Sequence, residues 1–196
     1  MNKKKMLLVI DAQNDFITGS LAVKDAKDKM LALSDYINKN ANEYEYIVFT
    51  SDWHPLDHMS FVPNKGQWPV HCVAHTWGAA LMKELTDAVI NVNKDLIVLK
   101  KGMKTEKEEY SVMECDNSKI ELINLVEDGI TDIDICGIAN EYCVNNSVKD
   151  IAQNEVISDL AKIHVLFDYV AAIADENVLL DTCKELGVDV YCTKTN

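Results

Sequence analysis

Short apolar runs punctuate the chain at 6–10, 46–50, 96–99, 133–136, 163–167 and 188–191, and each gives way to polar residues within a few positions. Between them, 26–40, 119–126, 141–151 and 176–186 carry apolar residues at the spacing of one helix face, and Gly187 directly after the last fits a helix stop. Strand-length and helix-length segments that alternate in this way predict an α/β protein. Because the strand segments are nearly all apolar, they predict a parallel sheet covered on both faces. No repeat, low-complexity tract or linker breaks the pattern, so one domain over residues 1–196 is expected.

The stretch 52–78 fits neither period. It holds all three prolines, all three tryptophans and four of the five histidines of the chain. A long irregular insertion in a compact domain is usually functional.

Composition narrows the choice of partner. With 32 acidic against 19 basic residues, the formal net charge is −13, which makes a phosphate backbone or an anionic bilayer a poor electrostatic partner. Neither nucleic acid nor a membrane is expected. The basic start, 1–5, is followed by an apolar run that Asp11 interrupts, too short for a signal-peptide core or a membrane span, so a cytoplasmic protein is expected. The six cysteines form no CxxC pair and indicate neither a zinc knuckle nor a disulfide framework.

In open parallel sheets, ligands bind beyond the carboxyl ends of the strands, so polar residues just past an apolar run are the first to consider. Asp11 ends the first run, Asp52 follows the second, Lys100 and Lys101 end the third, and Cys143 lies beyond the fourth. A lone cysteine is more often core filling than chemistry. Cys143, however, stands in the first turn of the helix predicted over 141–151, where free N–H groups and the helix dipole favour a thiolate, and a lowered pKa is expected. A carboxylate such as Asp11 can take the proton of an attacking thiol and return it to a leaving amine. Lys101 can stabilise negative charge on that carboxylate or at a tetrahedral centre. Strand alternation turns Lys100 to the opposite face, where it reads as structural.

In Asp52-Trp53-His54, the first and third side chains of an extended segment point the same way and can grip one ion. His71 and His58 are candidates to complete the set, with His58 open between ligand, partner of a ligand and loop anchor. One carboxylate with two imidazoles suits a single divalent zinc, manganese or iron ion, and three protein ligands leave positions for water and substrate. His75 and His164 read as structural. Phe16, Trp68 and Tyr110 lie close to these motifs and can line a flat slot for an aromatic ring.

At these residues the sequence resembles the nicotinamidase branch of the isochorismatase-like cysteine hydrolases, and the likeness runs across nearly the whole chain. Asp11-Ala-Gln-Asn-Asp15-Phe16 is similar to the opening DxQxDF motif. Asp52-Trp-His54-Pro-x-x-His58-x-Ser-Phe61 and Trp68-Pro-x-His71-Cys-Val73 are similar to the metal segments. Lys101-Gly102 with Tyr110-Ser111 resembles the catalytic lysine motif, and Gly137-Ile-Ala-Asn-Glu-Tyr-Cys143-Val144 the nucleophile motif. The resemblance implies a doubly wound, three-layer α/β/α sheet, an Asp11–Lys101–Cys143 triad and a metal held by Asp52, His54 and His71. It also implies a cis peptide between Ile138 and Ala139, an oxyanion hole from the amides of Ala139 and Cys143, and a homo-oligomer. The activity it implies is hydrolysis of nicotinamide to nicotinate and ammonia through a thioester, in NAD salvage.

Two departures from the family pattern stand out, the first keeping its residues polar and the second bearing on pocket shape and hence on the substrate. Asn140 and Glu141 stand where the family usually has threonine and aspartate, and Ser111-Val112-Met113 replaces its usual small residue and phenylalanine after Tyr-Ser. Rival readings are an amidase for pyrazinamide-like, carbamoyl or ureido substrates, a metal-free isochorismatase-type hydrolase, and a non-catalytic metal-binding relative.

Overall fold

The computed structural model describes residues 3–192; the basic start is described only from Lys3, and residues 1, 2 and 193–196 lie outside the described residues. Six strands, β1 (Lys5–Ile10), β2 (Tyr44–Asp52), β3 (Ile97–Lys101), β4 (Asp132–Ile138), β5 (Lys162–Ala171) and β6 (Asp189–Tyr191), form one parallel sheet. Its order is β3-β2-β1-β4-β5-β6. The chain winds outward from β1 to β3, returns to the centre at β4 and winds outward again to β6. α2 (Ala26–Asn40) and α3 (Lys83–Asn91), packed on each other, lie on one face. The other face carries α4 (Asp116–Glu127), α5 (Asn145–Gln153), α6 (Glu155–Leu160) and α7 (Asn177–Leu186). This is the doubly wound, three-layer arrangement that the sequence predicted. A short helix, α1 (Asn14–Ile17), follows β1.

The central strands are apolar because both faces are covered: every residue of β4 and all of β1 except Lys5 is buried. β2 and β3 run further than the apolar pattern indicated, through Asp52 and Lys101, which pair across the ladder. Backbone pairing does not depend on side-chain polarity, so the ladder continues where the hydrophobic signal stops. Three helices were not foreseen, the four-residue α1 and the longer α3 and α6. α3 spans nine residues and buries Leu85, Ala88 and Val89. α6 has six residues and starts at Asn154, whose side chain accepts from the Ile157 amide at 3.1 Å. Gly187 closes α7 in the left-handed conformation, as its position predicted.

The order of the sheet reverses between β1 and β4, and that crevice is where an open parallel sheet binds ligands. Asp11 leaves β1 there, and residues 139–144 leave β4 there. The helix predicted over 141–151 begins with a π-helical turn, Asn140–Val144, and becomes α-helical in α5. The peptide between Ile138 and Ala139 is cis.

Candidate active site

Three strand ends bring the reactive side chains together. Lys101 is fully buried, and its ammonium lies 2.8 Å from Asp11 Oδ2 and 3.4 Å from Cys143 Sγ, with a further close hydrogen bond to Asp52 Oδ1. The β2–β3 register fixes this last contact by setting Asp52 beside Lys101. One atom each from Asp11, Asp52 and Cys143 falls within a mutual separation of 4.8 Å. Thr50 holds Asp11 from below: its hydroxyl donates to Asp11 Oδ1 at 2.7 Å and accepts from the Asp11 amide at 3.1 Å. Asp11 sits at φ 46°, in the left-handed region that aspartate tolerates better than most residues.

The electrostatics differ from expectation at one point. Position at a helix start predicted a lowered thiol pKa for Cys143. Instead, burial pushes the thiol well above its ordinary range; the Lys101 charge pulls it down, and the carboxylates of Asp11 and Asp52 push it further up. Burial also raises Asp11 against the opposing pull of Lys101, which makes its carboxylate a stronger base than an exposed one. Lys101 lies among two carboxylates and a thiol, which outweigh its desolvation and hold it well above its usual value, firmly as a cation.

Beside this centre, donor atoms of Asp52, His54 and His71 lie within 4.8 Å of one another. His54 Nδ1 meets the Gly102 carbonyl at 2.9 Å, and His71 Nδ1 meets the Pro69 carbonyl at 2.7 Å. A carbonyl only accepts, so both Nδ1 atoms carry a proton and the Nε2 atoms are turned the other way. Those atoms face Asp52 Oδ2 at 3.5 and 4.0 Å. Two imidazoles held by their Nδ1 atoms, with Nε2 turned towards one carboxylate, form once deprotonated at Nε2 a donor set suited to a divalent cation. Gly102 is necessary to it: a Cβ there would stand 2.4 Å from His54 Cε1, and its φ of +64° already favours glycine.

His58 is placed differently from the ligands. Its Nδ1 pairs with Ser60 Oγ at 2.7 Å and its Nε2 with the Lys107 carbonyl at 3.0 Å, so both nitrogens are engaged. Its ring stacks on His54 at 4.1 Å between centroids. In this arrangement His58 backs the cluster and anchors the segment leading to Tyr110.

A cleft opens over the thiol. Phe16, Trp68 and Tyr110 line it, as do Cys143, Ala139, Asp52 and His71. Trp68 Nε1 donates to the Tyr110 hydroxyl at 3.2 Å. Four further lining residues were not foreseen: Leu21, Glu108, Tyr142 and Ile173. Tyr142 packs edge-on against Trp68 at 4.9 Å, and its position next to Cys143 was the available signal. Nothing local marks Leu21 or Ile173. Gln13 and Asp15 were quoted only as parts of a motif, yet both brace the site. The carboxylate of Asp15 accepts from the amide of Cys72, next to His71, at 2.7 Å.

The residues read as structural stay away from the cleft. The Lys100 ammonium sits 3.6 Å from the Trp53 ring centroid, His75 packs edge-on to Trp53, and His164 pairs with Asp132 at 3.1 Å.

Fold and site together define a doubly wound α/β protein with a buried thiol–ammonium–carboxylate centre next to a three-donor cradle for a cation. The isochorismatase domain model matches residues 5–195, and the chain belongs to the isochorismatase-domain family. Its curated relatives include the nicotinamidase of Saccharomyces cerevisiae, 32% identical over 210 residues that cover 92% of this chain and 94% of the relative. Among solved structures, the pyrazinamidase of Pyrococcus horikoshii in complex with zinc is 32% identical with a TM-score of 0.78, covering 96% of this chain and 98% of the other. PnC1 from L. infantum in complex with nicotinate is 30% identical with a TM-score of 0.79, covering 96% of this chain and 92% of the other. Among the described residues, no helix is long and apolar enough to cross a membrane.

Proposed function

We propose that the chain is a single-domain, metal-dependent cysteine amidohydrolase that converts nicotinamide to nicotinate and ammonia, a step that returns the pyridine ring to NAD salvage. The observation that carries this reading is the Lys101 ammonium, which contacts Asp11 and Cys143 together at the floor of an aromatic-lined cleft. The yeast nicotinamidase and the nicotinate complex support the substrate class.

Cys143 Sγ attacks the carboxamide carbon while its proton passes to Asp11. Burial raises Asp11 and so makes it the better acceptor, and Lys101 compensates the negative charge whether it resides on oxygen or on sulfur. The oxygen of the tetrahedral intermediate accepts from the amides of Ala139 and Cys143, and losing one such donor costs about 100- to 1000-fold in rate. Asp11 then protonates the amide nitrogen, the C–N bond breaks and ammonia leaves. A water attacks the thioester as Asp11 takes its proton, the C–S bond breaks, and the sulfur regains a proton as nicotinate departs. Phe16, Trp68 and Tyr110 hold the ring flat above the sulfur.

Asp52, His54 and His71 would hold one divalent ion, which would supply Lewis acidity at that end of the cleft. Zinc is the proposed metal, on the strength of the donor set and the Pyrococcus complex, with manganese or iron accepted by the same ligands.

The test is ammonia release from nicotinamide by the purified protein, run beside Cys143→Ala and beside a chelated sample reloaded with zinc, manganese or iron. Activity lost in both controls and regained with one metal supports the proposal. No ammonia from any preparation moves the assignment to another small amide.

A further inference from the structure

Beyond the reacting groups, the π-helical turn that presents Cys143 also holds the opposite wall of the cleft. β5 ends at Ala171, paired with Ile138, and β6 pairs only with His164, Val165 and Leu166. The segment between Ala171 and α7 therefore leaves the sheet without a ladder to fix it. Ile173 in that segment lines the cleft.

The Glu141 carboxylate takes up this role. Its Oε2 accepts from the Ile173 amide at 3.0 Å, and its Oε1 from the amides of Ala174 at 2.5 Å and Asp175 at 2.6 Å. Three consecutive amides converge on one charged acceptor, and charge-assisted bonds of this kind are roughly twice as strong as neutral ones. Burial alone would raise the Glu141 carboxyl, but the amides outweigh it and hold the group below its usual range. The preceding side chain reaches the same segment: Asn140 Oδ1 accepts from the Leu179 amide, and Asn140 Nδ2 donates to the Glu176 carbonyl, each at 3.3 Å. Asn140 is buried, so these bonds have little competition from water.

We infer that Asn140 and Glu141 form a latch that fixes Ile173 against the cleft, making Glu141 a positioning residue that sets which ring substituents the site admits. The latch ties the wall to the nucleophile's own turn, so Asn140 and Glu141 together set the distance between wall and sulfur, with Glu141 holding the amides at Ile173 itself. Ile173 faces the ligand as a packing surface, and its placement controls binding of the bound ring without touching the reacting atoms. The inference rests on the amide-hydrolase reading for its kinetic consequence, while the latch itself can be read without substrate.

The experiment compares wild type, Glu141→Ala, Glu141→Gln, Ile173→Ala and the Glu141→Ala/Ile173→Ala double variant, all metal-loaded. Hydrogen exchange at the amides of residues 173–175 reads the latch, with faster exchange expected in Glu141→Ala and an intermediate effect in Glu141→Gln. Unchanged exchange in both variants overturns it. Labelling of Cys143 by iodoacetamide and by the bulkier N-phenylmaleimide, quantified on its own peptide, reads the opening of the wall. The bulky-to-small rate ratio should rise about tenfold in Glu141→Ala, the lower end of what one methylene of pocket wall discriminates. It should rise little further in the double variant, because both changes act through one wall.

With nicotinamide, KM should rise about tenfold at nearly constant kcat, the signature of lost uniform binding. An additive double variant, or a fall in kcat with KM constant, overturns the positioning role. If wild type releases no ammonia, the substrate assignment fails, and the exchange and labelling arms still decide the latch.

Discussion

Gln13 grips Asp52 from both sides of its backbone: Nε2 donates to the Asp52 carbonyl at 2.8 Å, and Oε1 accepts from the Asp52 amide at 2.8 Å. The same Nε2 also donates to the Ala79 carbonyl at 2.9 Å. Gln13 is fully buried, so water cannot replace these bonds. Partners that orient metal ligands typically matter by about 10- to 100-fold in affinity. Gln13→Ala should therefore weaken zinc binding by about that factor, measured by competition with a chelator. It should also lower the unfolding free energy by about 1–3 kcal/mol, as expected when buried backbone groups lose their partners. Unaltered zinc affinity would show that Asp52 is placed by its strand alone.

The charges around Cys143 predict a reversal between turnover and reactivity. Burial raises the thiol, the Asp11 charge raises it further and Lys101 lowers it. Asp11→Asn removes a neighbouring negative charge, so the thiol pKa should fall and the curve of iodoacetamide labelling against pH should move to lower pH. Turnover in that variant should nonetheless drop by about 100- to 10,000-fold, because the proton acceptor is gone. A labelling curve displaced to higher pH would contradict the electrostatic account.

Lys101→Met should move the labelling curve the other way, since it removes the one cation beside the sulfur. It also leaves Asp11 and Asp52 buried without their partner, which costs about 3–5 kcal/mol. Denaturant unfolding of the zinc-free protein would register that loss directly.

Cys143→Ala should abolish ammonia release while changing the melting temperature little, because Lys101 and Asp11, the sulfur's hydrogen-bond partners, keep each other and their further partners Asp52 and Thr50. Near-normal hydrolysis by this variant would rule out the covalent route.

The two histidine roles separate under metal titration. His71→Ala removes a ligand and should reduce zinc affinity steeply, whereas His58→Ala should retain most of it and chiefly loosen the Lys107–Tyr110 segment that His58 Nε2 holds at Lys107. Equal losses in the two variants would make His58 a ligand. In wild type, added zinc should raise the melting temperature in a concentration-dependent way, as for any ligand that binds only the folded state.

How much of this was legible in advance depended on whether the signal was local. Periodicity in the chain determined the six strands, four of the helices and the parallel sheet, because burial on both faces forces strands to be apolar and one-sided burial forces helices to be amphipathic. The short helices α1, α3 and α6 escaped because so few turns give too few periods to stand out. The motifs determined the reactive residue types, since a thiol, a carboxylate, a lysine and an imidazole pair each bring chemistry that few other side chains supply.

Tertiary structure alone decided how those groups act on one another. Desolvation is a property of the surrounding fold, and it reversed the expected shift of Cys143; a helix terminus contributes a fraction of a charge, whereas complete burial removes the solvation of a whole one. The ladder register set Asp52 against Lys101 and so joined the cation cradle to the triad, a contact between positions 49 residues apart that no local pattern encodes. The Lys107 carbonyl and the Ser60 hydroxyl occupy both nitrogens of His58, and Glu141 accepts from the amide of Ile173, a cleft residue 32 positions later. The sequence thus determined the composition of the site, and the packing of distant segments determined its protonation, its connections and its walls.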